Sequence, residues 1–240
     1  MDRFISLTWS EGINEDESAL LIQEVSRIIK WLYFQLPTAL NTPPTQIRVF
    51  GDWALSGLEP GSPYWGTQWY IDSSFNEDLQ QVIAPLFLEL VRQEPWQIET
   101  PHWDLALIDH DLTDYPTAGP ITNETPHYAL GSSLPGSIAV MSVRRVRAIP
   151  DTRLRQLALQ RLVRHNLGHI MGAVSYKRDY HSVKHGLETH CVNPCVMRHA
   201  STVEELIEYA IEENNLPYLF CEQCAQELRS NLLFNVKNWS

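Results

Sequence analysis

The stretch Arg164-His165-Asn166-Leu167-Gly168-His169-Ile170-Met171-Gly172 decides how the rest of the chain is read. Its two histidines are four residues apart, so a helix stacks both imidazoles on one face about one turn apart. Two ring nitrogens so placed can share one tetrahedral zinc and leave positions for a third ligand and a water. The helix itself is well marked. Asp151 is a good N-cap, and Leu154, Leu157, Ala158, Arg161, Leu162, His165 and His169 recur with a helical period up to Gly172, where φ freedom permits a sharp turn. An H-x-x-x-H pair alone is a common pattern, so its meaning depends on its surroundings.

Downstream lie four cysteines, Cys191, Cys195, Cys221 and Cys224, all in the last quarter of the chain. The chain opens with no basic, apolar, small-residue export signal, and there a C-x3-C pair followed by C-x2-C reads as thiolate zinc ligation rather than disulfides. Phe220-Cys221-Glu222-Gln223-Cys224 should open the last helix.

Upstream, Arg3 to Thr8 alternates apolar and polar residues as a strand does, and Asn14-Glu15-Asp16-Glu17 starts a helix that runs until Pro37. Gln46 to Leu55 can form a second strand, and Glu59 to Trp69 reads as a loop whose aromatics cover a core edge or line a cleft. A helix from about Asn76 to Arg92 should kink or break near Pro85. Leu105-Ala106-Leu107-Ile108 is a short buried strand running into Asp109-His110-Asp111, an acidic strand end more than a metal cluster. After a loop from Tyr115 to Pro126, Tyr128 to Gly131 and Gly136 to Val146 read as two strands. The order of elements predicts an α/β sheet packed on helices, with a cysteine-rich tail.

At 240 residues the chain can bury one sizeable core. A single domain is expected over 1–240, with sheet and metal helix in 1–172 and the cysteine subdomain in 173–240. The balance of 18 Lys+Arg against 29 Asp+Glu, net −11, argues against a general nucleic-acid or anionic-membrane partner. Seven arginines fall between Arg144 and Arg164; they are expected to be solvated or paired with the acidic remainder. No apolar run approaches membrane-spanning length, so a cytoplasmic protein is expected.

Taken together, these motifs resemble the archaemetzincins, a family of metzincin zinc metallopeptidases. His165-x-x-x-His169-x-x-Gly172 is similar to the start of H-E-x-x-H-x-x-G-x-x-H. His190-Cys191, Cys195-Val196-Met197 and Cys221-Glu222-Gln223-Cys224 resemble the family's joined Met-turn and four-cysteine signature. Asp109 to Leu112 and Tyr128 to Arg145 look like the strands before its metal helix, so the likeness spans about residues 105 to 230. It implies a metzincin-like twisted, mostly parallel sheet with one antiparallel edge strand above a cleft. The metal helix would lie beneath, with Met197 in the Met-turn, an active-site zinc on His165 and His169, and a structural zinc on Cys191, Cys195, Cys221 and Cys224. Peptides or proteins would be the substrates or ligands.

The chain departs from that pattern at two functional positions. Asn166 stands where the family has its general-base Glu, and an amide cannot accept a proton near neutral pH. The third His is lost by one rule and kept by another. Counting three residues past Gly172 gives Ser175, whereas the residue before the first cysteine is His190, 15 positions later. His190 leads as third ligand, followed by His181 or His185 and then Asp179. Glu188 or a histidine of 181–190 could substitute as base. Three functions stay open: an impaired relative that keeps zinc and binds peptides, an active peptidase with an unconventional base, and a structural protein with only the four-cysteine zinc.

Overall fold

The computed structural model describes residues 4–34, 45–52, 66–114, 128–185 and 188–237. β1 (Ile5–Trp9) leads into α1 (Glu15–Phe34), whose first turn carries Glu15, Asp16 and Glu17 at the positive end of the helix dipole. Asn14 and Glu17 cap that start reciprocally, each side chain accepting the other's backbone N–H. Next come β2 (Ile47–Gly51), α2 (Thr67–Ser74), β3 (Phe75–Asn76), β4 (Gln81–Ile83), α3 (Ala84–Arg92) and α4 (Pro95–Glu99). β5 (Trp103–Ile108), β6 (Leu112–Thr113), β7 (Gly131–Leu134) and β8 (Ile138–Ser142) precede the long α5 (Thr152–Ile170). A hairpin of β9 (Ser182–His185) and β10 (Glu188–Cys191), then α6 (Val203–Asn214) and α7 (Glu222–Lys237), complete the chain.

The central sheet has the order β2-β1-β5-β8-β7. Its first four strands are parallel, and β7 runs antiparallel to β8 at the edge. Strands β3, β4 and β6 form a smaller sheet, and the β9–β10 hairpin stands apart. The protein is therefore a mixed α/β fold with a mostly parallel sheet, as expected. Every residue of β5 is buried because helices cover both faces. Leu105 and Leu107 pack with α1 and α5, whereas Ala106 and Ile108 pack with α2 and α3.

Helix α5 crosses beneath β7 and β8. Asp151 caps it by accepting the Leu154 N–H at 2.9 Å. Leu162, Val163, Leu167 and Ile170 form its buried face, each side chain contributing roughly 1.5–3 kcal/mol on burial. The helix stops at Gly172, with φ +79°. There the Asn231 Nδ2 donates to the Gly172 carbonyl at 2.7 Å, and a Cβ would meet that nitrogen at 2.4 Å. Four of the seven arginines are paired as expected, Arg145 with Asp111, Arg147 with Glu17, Arg161 with Glu213 and Arg164 with Glu24. Among the described residues no helix is long and apolar enough to cross a membrane.

Several local expectations are overturned. The helix expected from Asn76 is instead two short strands joined by a turn with Gln80 at φ +53°, and α3 begins only at Ala84. Pro85 occupies its first turn, where a missing N–H costs nothing, so the proline starts the helix rather than kinking it. The loop expected through Trp69 is already helical from Thr67. The strand expected at Tyr128 begins at Gly131, with Ala129 making only an isolated bridge to Leu112. The aromatic stretch 59–65 and the loop 115–126 lie outside the described residues.

Candidate metal centres

The four cysteines come from two places. Cys191 ends β10 and Cys195 follows in the next turn, while Cys221 and Cys224 open α7. All four are free thiols, and their sulfurs lie within 4.8 Å of one another. The Sγ separations are 3.8 Å for Cys191–Cys221 and 3.9 Å for Cys195–Cys224. A disulfide needs about 2.05 Å, whereas a zinc tetrahedron with bonds of ~2.3 Å has edges of ~3.8 Å. The set fits zinc. Arg178 donates from both Nη atoms to the Cys224 Sγ at 3.5 Å, and Asn193 Nδ2 donates to the Cys221 Sγ at 3.6 Å. Such donors favour thiolate over thiol.

The second cluster joins α5 to β10. His165 and His169 project from one face of the helix, with their Nε2 atoms 3.1 Å apart, and His190 brings a third ring to the same point. One ligand nitrogen from each ring lies within 4.8 Å of the others. The His165 and His190 rings are parallel at 5.3 Å, and His169 meets His190 edge-on at 4.8 Å. All three are buried. Burial, reinforced by the neighbouring histidines, holds His165 well below its ordinary pKa and His169 at about 4, so both rings are neutral, the form that binds a metal. His165 Nδ1 donates to the Val196 carbonyl at 2.7 Å, which leaves Nε2 with a free lone pair. Neither ring nitrogen of His190, nor Nδ1 of His169, has a hydrogen-bond partner of good geometry. Buried nitrogens without partners are costly, and a cation at the convergence would satisfy the lone pairs.

Met197 closes the floor. It is fully buried, and a Cβ on Gly168 would meet its Sδ at 2.3 Å, so the helix admits the methionine only because a glycine stands there. The Cys191 N–H donates to the Met197 carbonyl at 2.9 Å. His190 and Cys191 are adjacent on β10, and successive strand residues face opposite ways, so one strand serves both clusters.

Beside the histidines opens a cleft of about 530 Å³, walled by Gly131, Ser132 and Ser133 of β7 and by Asn166 and Glu188. Asn166 is buried. Its Nδ2 donates to the Leu162 carbonyl of its own helix at 2.9 Å, and it presses on Gly131, where a Cβ would lie 2.8 Å from that nitrogen. Glu188 Oε1 accepts from the Ser133 hydroxyl, while Oε2 lies 3.3 Å from His190 Nε2 and 4.0 Å from His169 Nε2. Burial pushes the Glu188 carboxyl up, but His169, His190 and Ser133 outweigh it and hold the pKa at about 2.

No known family model and no curated protein matches the sequence. Solved structures do match. The archaemetzincin of Methanopyrus kandleri superposes with a TM-score of 0.59 at 20% identity, over 97% of this chain and 96% of that one. The archaemetzincin of Archaeoglobus fulgidus, solved with malonate, gives 0.55 at 17% identity, over 93% and 98%. The chain has the archaemetzincin fold.

Within that archaemetzincin fold the candidates for the third position lie in different places. Ser175 turns away; its N–H donates to Glu227 and its hydroxyl accepts from the Lys177 N–H. Asp179 and His181 are exposed, with the His181 ring on Tyr180. His185 stacks on His199 at 4.0 Å and stays 5.6 Å from the His190 ring. Only His190, of these candidates, joins His165 and His169. The run between Ser175 and His190 leads into the β9–β10 hairpin. Asp109 and Asp111 are engaged elsewhere, with Ser10 and Arg145. Three residues escaped the sequence reading. Gly168 was signalled by being a glycine inside a helix, whereas His199 and Ser133 carry no sequence signal for their places on the cleft.

Proposed function

We propose that this chain is a zinc-binding protein of metallopeptidase type that binds peptide segments along β7 and hydrolyses them weakly or not at all. The convergence of His165, His169 and His190 beside a cleft with an antiparallel edge strand carries this reading. Cys191, Cys195, Cys221 and Cys224 would hold a structural zinc, and the three histidines a second. Zinc at the histidines would polarise a peptide carbonyl and make a bound water more acidic. An extended peptide would pair with the outer edge of β7 through backbone hydrogen bonds. Four reduced cysteines fit a cytoplasmic setting, and a net charge of −11 disfavours a polyanionic partner.

The impairment rests on Asn166. Its amide cannot take a proton and is already committed to the Leu162 carbonyl. Loss of general-base help costs ~10²–10⁴ in rate. A second reading is favoured by Glu188, an ionised carboxylate beside the histidines that could act as base in place of residue 166.

Peptidase assays on wild type, Asn166→Glu and Glu188→Gln separate the two, with the nearly isosteric Asn166→Asp guarding against a clash with Gly131. A weak wild type that gains about 10²-fold with a carboxylate at 166 supports impairment. Robust wild-type cleavage abolished by Glu188→Gln supports the second reading. Robust cleavage that survives Glu188→Gln overturns both.

A further inference from the structure

We infer that Asp114 selects a lysine or arginine side chain of the bound peptide, at the residue that lies opposite Ser132 of β7. The inference deepens the proposed function: it rests on a peptide pairing with β7 and names the chemistry of a side chain that such a peptide would carry.

Strand β7 divides its residues between two faces. Gly131 abuts Asn166 and Ser133 donates to Glu188, so this pair belongs to the histidine side of the cleft. Ser132 and Leu134 face the other way. Leu134 packs with Phe87 and Leu88 of α3, and the Ser132 side chain hydrogen-bonds the carboxyl of Asp114, just past β6. The Ser142 N–H donates to the Leu130 carbonyl. The bonds to β8 therefore fall on Leu130, Ser132 and Leu134, and the backbone groups of Gly131 and Ser133 point to the free edge. A peptide strand would bond to Gly131 and Ser133 there. Its residue opposite Ser132 would share that residue's face, as directly opposed residues do, and its side chain would meet Asp114.

The wall at that position suits a long cationic side chain. Pro85, Leu88 and Leu134 line this side of the cleft together with Asp114. An apolar wall that ends in a carboxylate matches the aliphatic stem and charged head of lysine or arginine. Among the described residues the charges that act on Asp114 are those of Glu188 and His190, and none is a lysine or arginine. The neighbouring residues 115–127 include no Lys or Arg either. The side chain is open to solvent, but crowding of its carboxyl by the cleft wall pushes the pKa up to about 6, with Glu188 adding to the rise and Ser132 and His190 opposing it. A cation brought by the peptide would offset that penalty. The other charges on the cleft are matched. Arg161 pairs with Glu213 and Glu89 with Arg92, while Glu188 turns to Ser133 and the histidines.

The test is binding of the zinc-loaded full chain to pools of nonapeptides, read by fluorescence anisotropy. Each pool has blocked ends, an uncharged dye and uncharged residues at its variable positions, with Lys, Arg, norleucine or Glu fixed at the centre. Wild type should bind the Lys and Arg pools about 5- to 10-fold tighter than the norleucine pool, which keeps the stem without the charge. Asp114→Asn should abolish that preference and bind the norleucine pool as wild type does, which also reports that the variant is folded. Asp114→Lys should transfer the preference to the Glu pool. Glu89→Gln removes another carboxylate from the same cleft and should leave the preference intact, which separates Asp114 from the general negative charge of the chain. A wild type that binds all pools alike overturns the inference and leaves peptide binding standing. A preference that survives Asp114→Asn, or that Glu89→Gln erases equally, overturns it as well. If no pool binds, the inference falls together with the peptide-binding reading beneath it.

Discussion

The cysteine centre and the histidine centre share strand β10 yet are built in opposite ways. The cysteine centre is chemically complete. Two pairs of sulfurs stand at the edge length of a zinc tetrahedron, all four lie within 4.8 Å of one another, and Arg178 and Asn193 donate to two of them. The histidine centre is complete only in part. Three buried rings converge with unpartnered nitrogens, Asn166 faces its own helix, and a carboxylate from the β9–β10 hairpin leans in. One strand therefore carries a four-cysteine cluster on one side and a histidine cluster beside the cleft on the other. The two clusters are separated by one residue's alternation along β10.

Removing metal from the cysteines should have the largest effect. Structural zinc of this type contributes ~10–16 kcal/mol of apparent binding free energy to folding. Cys224→Ser should lose one zinc and the cooperative unfolding of α7 with β10, measured by metal content and thermal melting. His190→Ala should lose one zinc and still melt cooperatively. Equal collapse of both variants would erase the distinction between the centres.

Acid should act next, and on the histidine side of the metal-free protein. His169 is held at about 4, first by burial, with the neighbouring His190 adding to it and Glu188 opposing. An unfolded histidine titrates near ~6.5, so between those values the unfolded chain binds more protons. The stability contributed by the neutral ring is present above ~6.5 and is lost as pH falls toward about 4. By pH ~5 that amounts to about 2 kcal/mol for His169 alone. Urea midpoints of chelated protein should fall over that window, and His169→Gln should flatten the slope. An unchanged slope in the variant would remove His169 from the account.

The smallest effect is steric. Gly168→Ala puts a Cβ 2.3 Å from Met197 Sδ, and overpacking of this kind costs ~1–3 kcal/mol. Melting should drop by several degrees and zinc should bind the histidines less tightly, with the cysteine zinc retained. Met197→Ala in the same background should restore part of the loss. A neutral Gly168→Ala would mean that the methionine does not support the helix.

What could be read in the sequence follows the same division. Cysteine pairs closed over a few residues, a capped helix with i,i+4 histidines and the apolar run Leu105 to Ile108 of β5 were legible because each signal is local. The third histidine was not settled by spacing, because the count from Gly172 lands on Ser175 and only the fold brings His190 of β10 to His165 and His169 on α5. The stretch from Asn76 misled because Val82 and Ile83 continue the apolar pattern of α3 while belonging to a strand paired with Leu112 and Thr113. Ser133 and Glu188 meet from positions 55 residues apart, a contact that no local pattern encodes.

The most direct test of the central claim is the zinc content of purified wild-type protein against His169→Ala and the paired variant His165→Ala/His169→Ala. The account predicts two zinc ions per wild-type chain and one in each variant, with the remaining ion held by the cysteines. One zinc in wild type, unchanged by either variant, would contradict it and leave the histidines as buried packing around a four-cysteine staple.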